Sequence, residues 1–214
     1  MPARVSIQLA WLRVLAPPRC PGCDGLLAAG RAAFCPACLP LIERASESQR
    51  PPSPAANAFI YGGPLADAVL RLKYGRRTEL APGLGALLAE AALAYAGAID
   101  RVLPLPLHRA RLRERGFNQS TLLAQPVARA LGVPLDTSSL VRVRPTHDQA
   151  SLPRASRAEN VRGAFAARRT LASQRVLLID DVRTTGATLA AAAEALLAAG
   201  CTRVSTLALA RAEG

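Results

Sequence analysis

VLLIDDVRTTGAT, residues 176–188, decides the fold: four aliphatic residues, two adjacent acids, then a hydroxyl-rich turn around a glycine that opens an alanine-rich run. Residues 176–179 show no polar alternation, which suits a strand buried on both faces of a parallel sheet. Residues 187–199 are strong helix formers and stop at Gly200, and residues 203–210 read as a further strand. The stretch is therefore the turn of a βαβ unit at the carboxyl end of a strand, the place where open α/β sheets bind ligands.

Side chains alternate between faces inside a strand, but Asp180 and Asp181 are expected where the strand gives way to the turn, so both can face one ligand. Two carboxylates there can accept hydrogen bonds from vicinal hydroxyls, and can hold Mg2+ directly or through water. Thr184, Thr185 and Thr188 add hydroxyl donors, and Gly186 lets the backbone come close. The free N–H groups of the helix opening at Ala187 point at whatever anion lies in the turn. The pattern reads as a diol clamp beside a monophosphate cradle, a site for a phosphorylated sugar. Ordinary turn chemistry is the plain alternative for so short a motif. A receiver domain would need a further aspartate, and none follows Asp181. A Walker A loop needs Gly-Lys-Ser/Thr and a dinucleotide fingerprint three spaced glycines, and neither is present.

The second strong pattern is a pair of CPxC knuckles, Cys20-Pro-Gly-Cys23 and Cys35-Pro-Ala-Cys38. Two matched knuckles are the ligand set of a structural four-cysteine zinc site, with no position left open for substrate. A thioredoxin-like redox pair and two disulfides are the alternatives. Cys201, just past the helix stop, reads as a small buried residue.

A chain of 214 residues, 50% hydrophobic, can bury one α/β domain plus a small module. The expected division is residues 1–45 for an N-terminal helix and zinc module, 46–58 (SESQRPPSPAANA) for a linker, and 59–214 for the main domain. The module is too small to hold its own core, so zinc binding, on the order of 10 kcal/mol for such sites, should hold it together. Residues 5–15 are apolar but interrupted by Arg13 and too short to span a bilayer, so they read as an amphipathic helix, not a signal peptide or membrane segment. A zinc-type cysteine pattern without an export signal implies a cytoplasmic protein.

A further core strand is expected at residues 101–105, followed by a turn carrying Arg109, Arg111, Arg113 and Arg115, after which Phe117-Asn118-Gln119 enter a helix running to about Leu131, which Pro126 should kink or delay. Such an arginine turn can grip a polyanion, or be no more than a solvated basic loop. Lys73 is the only lysine among 27 basic residues, which hints at a position that needs an ammonium point charge. His108 and His147, the only histidines, read as hydrogen-bonding surface residues.

Residues 176–188 resemble the signature by which type I phosphoribosyltransferases bind phosphoribosyl pyrophosphate (PRPP). Three further segments narrow the resemblance to the ComF family, also called GntX-like or amidophosphoribosyltransferase-like: Leu72-Lys73-Tyr74, RLRERGFNQ at 111–119, and the spaced set Gln149, Leu152, Arg157 and Asn160 with GAF at 163–165. With the cysteines, these cover nearly the whole chain in order. The resemblance implies a type I phosphoribosyltransferase fold, a mostly parallel sheet flanked by helices, behind a zinc ribbon. It implies Asp180 and Asp181 on the ribose as the catalytic pair, and Arg183, Thr184, Thr185, Gly186, Ala187 and Thr188 around the 5'-phosphate. It further implies Lys73 on the PRPP phosphates, Arg109, Arg111, Arg113 and Arg115 on the pyrophosphate, a flexible flap over 142–162, and Mg2+ with the PRPP. Cys20, Cys23, Cys35 and Cys38 would hold the zinc.

Two function classes follow. One is an enzyme that transfers phosphoribosyl to an acceptor the sequence does not identify. The other is a non-enzymatic accessory or PRPP sensor in competence and DNA uptake, with single-stranded DNA or competence proteins as partners. The net charge of +12 suits a polyanion, but only 4% of residues are aromatic and no basic stripe is interleaved with them, so direct DNA binding ranks below PRPP binding. The residues do not indicate an oligomeric state.

Overall fold

The computed structural model of the chain describes residues 18–27, 33–146 and 157–212. The apolar segment at 5–15, His147, Gln149, Leu152 and the middle of the expected flap lie outside the described residues. Along the chain run β1 (Ala55–Ile60), α1 (Gly63–Lys73), α2 (Ala81–Ala92), β2 (Arg101–Pro104), α3 (Arg109–Arg115) and α4 (Gln119–Leu131). There follow β3 (Leu140–Arg142), α5 (Arg157–Val161), β4 (Phe165–Ala167), β5 (Arg175–Arg183), α6 (Ala187–Ala198) and β6 (Arg203–Arg211). The main sheet has the order β1-β6-β5-β2 with every neighbour parallel, and β3 and β4 form a separate antiparallel pair. Among the described residues no helix is long and apolar enough to cross a membrane.

The aliphatic run of β5 explains the layering. Leu177 and Ile179 enter one core with Leu72, Leu84 and Leu123 of α1, α2 and α4. Val176 and Leu178 enter a second core with Leu189 and Leu196 of α6. All four strand residues are fully buried, and each aliphatic side chain so placed stabilises the fold by roughly 1.5–3 kcal/mol. Helix α4 starts at Gln119 because the Asn118 side chain accepts from the Ser120 amide at 3.1 Å, and it runs past Pro126 to Leu131.

Two expectations change here. The stretch at 46–58 is not a plain linker: β1 begins within it, at Ala55, and residues 43–45 turn back along β1. The Ile60 amide donates to Glu43 O at 2.9 Å and the Ala45 amide to Ala58 O at 3.1 Å. The sequence concealed this strand because its first residues, Ala-Ala-Asn-Ala, have weak strand propensity and are accommodated by small size, Ala56 and Ala58 being buried in the core. The arginine stretch is likewise not a turn but a two-turn helix, α3, closed by Gly116 in the left-handed region at φ 85°.

The cysteine module also lies directly on the sheet domain. Cys20, Phe34 and Cys38 belong to the same core as Leu65 and Leu72. The Arg71 guanidinium donates to Pro21 O at 2.8 Å, and Arg77 pairs with Asp24 at 3.0 Å. Gly22 sits so close to Pro64 that a Cβ there would approach Pro64 Cβ to 2.6 Å.

Candidate sugar-phosphate site

β5 does not end before the acids. It stays paired with β6 as far as Arg183, opposite Arg211, so Asp180 and Asp181 are strand residues, only 8% and 3% exposed. A partner from a different helix reaches each of them. Ser120, in the first turn of α4, donates its hydroxyl to Asp180 Oδ1 at 3.0 Å. Lys73, the last residue of α1, places its ammonium 2.9 Å from Asp181 Oδ1. Asp181 Oδ2 is buried with no hydrogen-bond partner among the described residues.

This arrangement sets the charge of the site. Burial, and then the neighbouring Asp181 charge, push the Asp180 carboxyl above the usual carboxylate range. For Lys73 burial works against the ammonium, but the Asp181 carboxylate, with help from Asp180, outweighs it and holds the pKa above its ordinary value.

Beyond β5 the chain turns through Thr184, Thr185 and Gly186 into α6. Gly186 stands at φ 83°, a conformation side-chain-bearing residues rarely adopt, and its place over the Arg183 guanidinium leaves a Cβ only 2.8 Å from Arg183 Nε. The Thr185 hydroxyl accepts from the Ala187 amide at 3.4 Å, so it shapes the turn. Thr184, Gly186 and Thr188 line a cavity of about 480 Å³ whose wall also carries Asp180, Asp181 and Lys73. That volume falls within the range of small-molecule sites.

The four arginines of α3 divide. Arg111 and Arg115, one helical turn apart, line the cavity, whereas Arg109 and Arg113 are exposed and lie off it. Arg115 stacks its guanidinium 5.6 Å from the Tyr74 ring centroid and donates to Gln119 Oε1 at 2.5 Å. Arg183 also reaches the cavity wall, yet its Nη1 donates to Ala55 O at 2.6 Å, which ties its fork to β1. His108 lines the cavity too, and its Nδ1 caps α3 by accepting from the Ala110 amide at 3.3 Å. Ser120 and Gln119 were not singled out from sequence as ligands of the acids and arginines. The Asn118 cap at the start of a helix was the available signal, since it fixes where the first-turn side chains point.

The four cysteine sulfurs lie within 4.8 Å of one another, and Cys23 and Cys35 are 3.7 Å apart. Tetrahedral zinc with bonds of about 2.3 Å sets its sulfurs roughly 3.8 Å apart, so the cluster fits that ion. Burial would raise the Cys20 thiol, but backbone amides of Cys35, Cys23 and Gly22 outweigh it and draw it down to about 6. Burial and the neighbouring thiols push Cys38 up to about 12.

Residues 118–213 match the phosphoribosyl transferase domain family. The chain is 36% identical over 199 residues to the DNA utilization protein YhgH of Salmonella typhimurium, covering 90% of this chain and 83% of that protein. It is 34% identical over 116 residues to competence protein F of Haemophilus influenzae, covering 53% and 51% of the two. Among solved structures, the glutamine PRPP amidotransferase of B. subtilis is 26% identical and covers 58% of this chain and 25% of that one, with a TM-score of 0.39. The parallel sheet with flanking helices is that of a type I phosphoribosyltransferase, joined to an N-terminal four-cysteine cluster. Likeness to the Salmonella protein extends far beyond the transferase domain in both directions of coverage, and on that ground the chain belongs to the ComF family.

Proposed function

We propose that the cavity binds PRPP or a related ribose 5-phosphate ligand. The observation that carries this is the meeting, in one cavity, of the Asp180–Asp181 pair with the Thr184–Thr188 turn. The acids take the vicinal hydroxyls of the ribose, the turn and the first amides of α6 take the 5'-phosphate, and Arg111 and Arg115 face the pyrophosphate. Mg2+, when bound, neutralises charge on the pyrophosphate. If transfer occurs, the C1'–O bond to pyrophosphate breaks through an oxocarbenium-like state, the acceptor forms the new bond at C1', and the arginines stabilise the charge of the departing pyrophosphate. The four cysteines hold a structural zinc.

The names of the relatives connect this reading to the use of DNA. The acid pair itself selects against DNA, because an internal deoxynucleotide has no 2'-hydroxyl and no free vicinal diol to offer it. DNA contact therefore rests on the outer surface, where Arg109 and Arg113 are exposed on a chain of net charge +12. Calorimetry separates the two. PRPP and ribose 5-phosphate should bind the wild type, and Asp180→Asn or Asp181→Asn should weaken both by about tenfold or more, since a charge-assisted hydrogen bond contributes about 1.5–3 kcal/mol. A single-stranded oligonucleotide should bind weakly, and its affinity should fall steeply with salt. Tight oligonucleotide binding that survives high salt, with no sugar-phosphate binding at millimolar ligand, would replace the proposal with a DNA-binding role.

A further inference from the structure

Lys73 is the one lysine of the chain and makes its contact inside the cavity, on an acid. The resemblance implies a phosphate partner for it, but its ammonium instead lies 2.9 Å from Asp181 Oδ1, with a side chain 19% exposed against 4% for Asp181. Asp180 Oδ1 is already held by the Ser120 hydroxyl at 3.0 Å and the Asp181 amide at 2.9 Å. Lys73 feels the two acids from β5, Tyr61 beyond the end of β1 and Tyr74 after α1, and Arg111 and Arg115 from α3 share the cavity wall with it.

Two adjacent buried carboxylates cannot both stay ionised without a counter-charge. Either a bound divalent cation supplies it or the protein does. In this chain an ammonium occupies the contact a metal would make on Asp181 Oδ1, and a cation set there directly would have to expel it. Lys73 also closes a helix, where the last-turn carbonyls favour a positive charge. Asp181 Oδ2 stays an open acceptor, buried and without a hydrogen-bond partner among the described residues. The acids are thus neutralised in part and still free to accept a hydroxyl.

We infer that Lys73 is a positioning residue that serves as the built-in counterion of the acid pair, so that Asp180 and Asp181 engage a ribose diol without direct metal ligation. This rests on the sugar-phosphate reading above and deepens it: the divalent-cation requirement belongs to the pyrophosphate of the ligand, not to the acids. Free ribose 5-phosphate, which lacks pyrophosphate, then binds equally well with and without Mg2+, whereas PRPP binding responds to it.

The test uses the full chain with zinc supplied, so that the cysteines are filled. Mn2+ alone, followed by its electron paramagnetic resonance signal, reports metal binding at the acids without any sugar. Wild type should bind no Mn2+ at the acid pair. Lys73→Met should create one Mn2+ site that the double variant Lys73→Met/Asp181→Asn lacks, and Lys73→Arg should behave as wild type. In calorimetry, Lys73→Met should lose about tenfold or more in ribose 5-phosphate affinity without metal and recover part of it when Mg2+ is added. Should Lys73→Met fail to fold, recovery of the fold in the double variant supports the counterion role, and a double variant that also fails to fold overturns it. A wild-type Mn2+ site abolished by Asp181→Asn, or a folded Lys73→Met that gains no site, overturns the inference. Absence of ribose 5-phosphate binding by the wild type, with the Mn2+ results as expected, overturns the sugar-phosphate reading and leaves the counterion role of Lys73 standing.

Discussion

Arg111 and Arg115 face the cavity while Arg109 and Arg113, in the same two turns of helix, face solvent. The difference is one of phase, since residues four apart share a helical face and residues two apart do not. Arg111→Ala or Arg115→Ala should therefore lower PRPP affinity by about tenfold or more and leave ribose 5-phosphate nearly unchanged, because only PRPP presents pyrophosphate to them. Arg113→Ala should change neither by more than about twofold. Titrations at one fixed ionic strength check this, and equal losses at all three positions would mean that the arginines act only as a diffuse field. The abundance of arginine here was legible in the sequence, but the division among the four was not, because the segment read as a turn and a turn has no faces. Its Arg, Leu and Glu content followed by Gly116 was the helix signal available. The Lys73 contact was still less legible, since it joins residues more than a hundred positions apart.

At the scale of elements, the apolar run of β5 and the alanine-rich α6 were legible because composition fixes them locally. The extension of β5 through the acids was hidden, because two adjacent carboxylates in a buried strand are tolerated only with the Ser120 and Lys73 partners that tertiary structure brings. A third buried acid follows the same rule away from the cavity. Asp136 accepts from the Ser139 hydroxyl and from Arg169, each at 2.6 Å, and so fastens the start of β3 to the chain beyond β4. Burial would raise its pKa, but Ser139, the Ser138 amide and Arg169 outweigh burial and hold the carboxyl far below the usual range. A depressed pKa contributes stability above the unfolded value of about 3.9 that is lost as pH falls through the folded value. Asp136→Asn should cost about 2 kcal/mol at pH 7, and the gap between variant and wild type should narrow steadily below about pH 4. Urea unfolding at both pH values measures this, and a gap that does not change with pH would assign the loss to packing alone.

For the whole molecule, the cysteine module and the sheet domain share a core, although the sequence presented them as two pieces joined by a linker. Proline and serine composition marks a loop but does not say whether its ends are pinned together, as residues 43–45 and 58–60 are here. Purified protein should carry one zinc per chain. Cys20→Ser, which removes a buried ligand in contact with that core, should lose the metal and lower the Tm of the entire chain in one transition. Elemental analysis and calorimetric melting check this, and an unshifted main transition would show that the module and sheet unfold independently. The strand order carries one more consequence. β6 lies between β1 and β5, so the earliest strand of the sheet and one of the latest are both completed by residues 203–211. During synthesis β1 waits, its parallel partner unmade, until residues 203–211 have left the ribosome. A message cut short before β6 would yield every residue of the acid pair and the threonine turn on a β5 paired only with β2, its other edge bare and β1 unattached, a product for proteolysis and not a weak form of the protein.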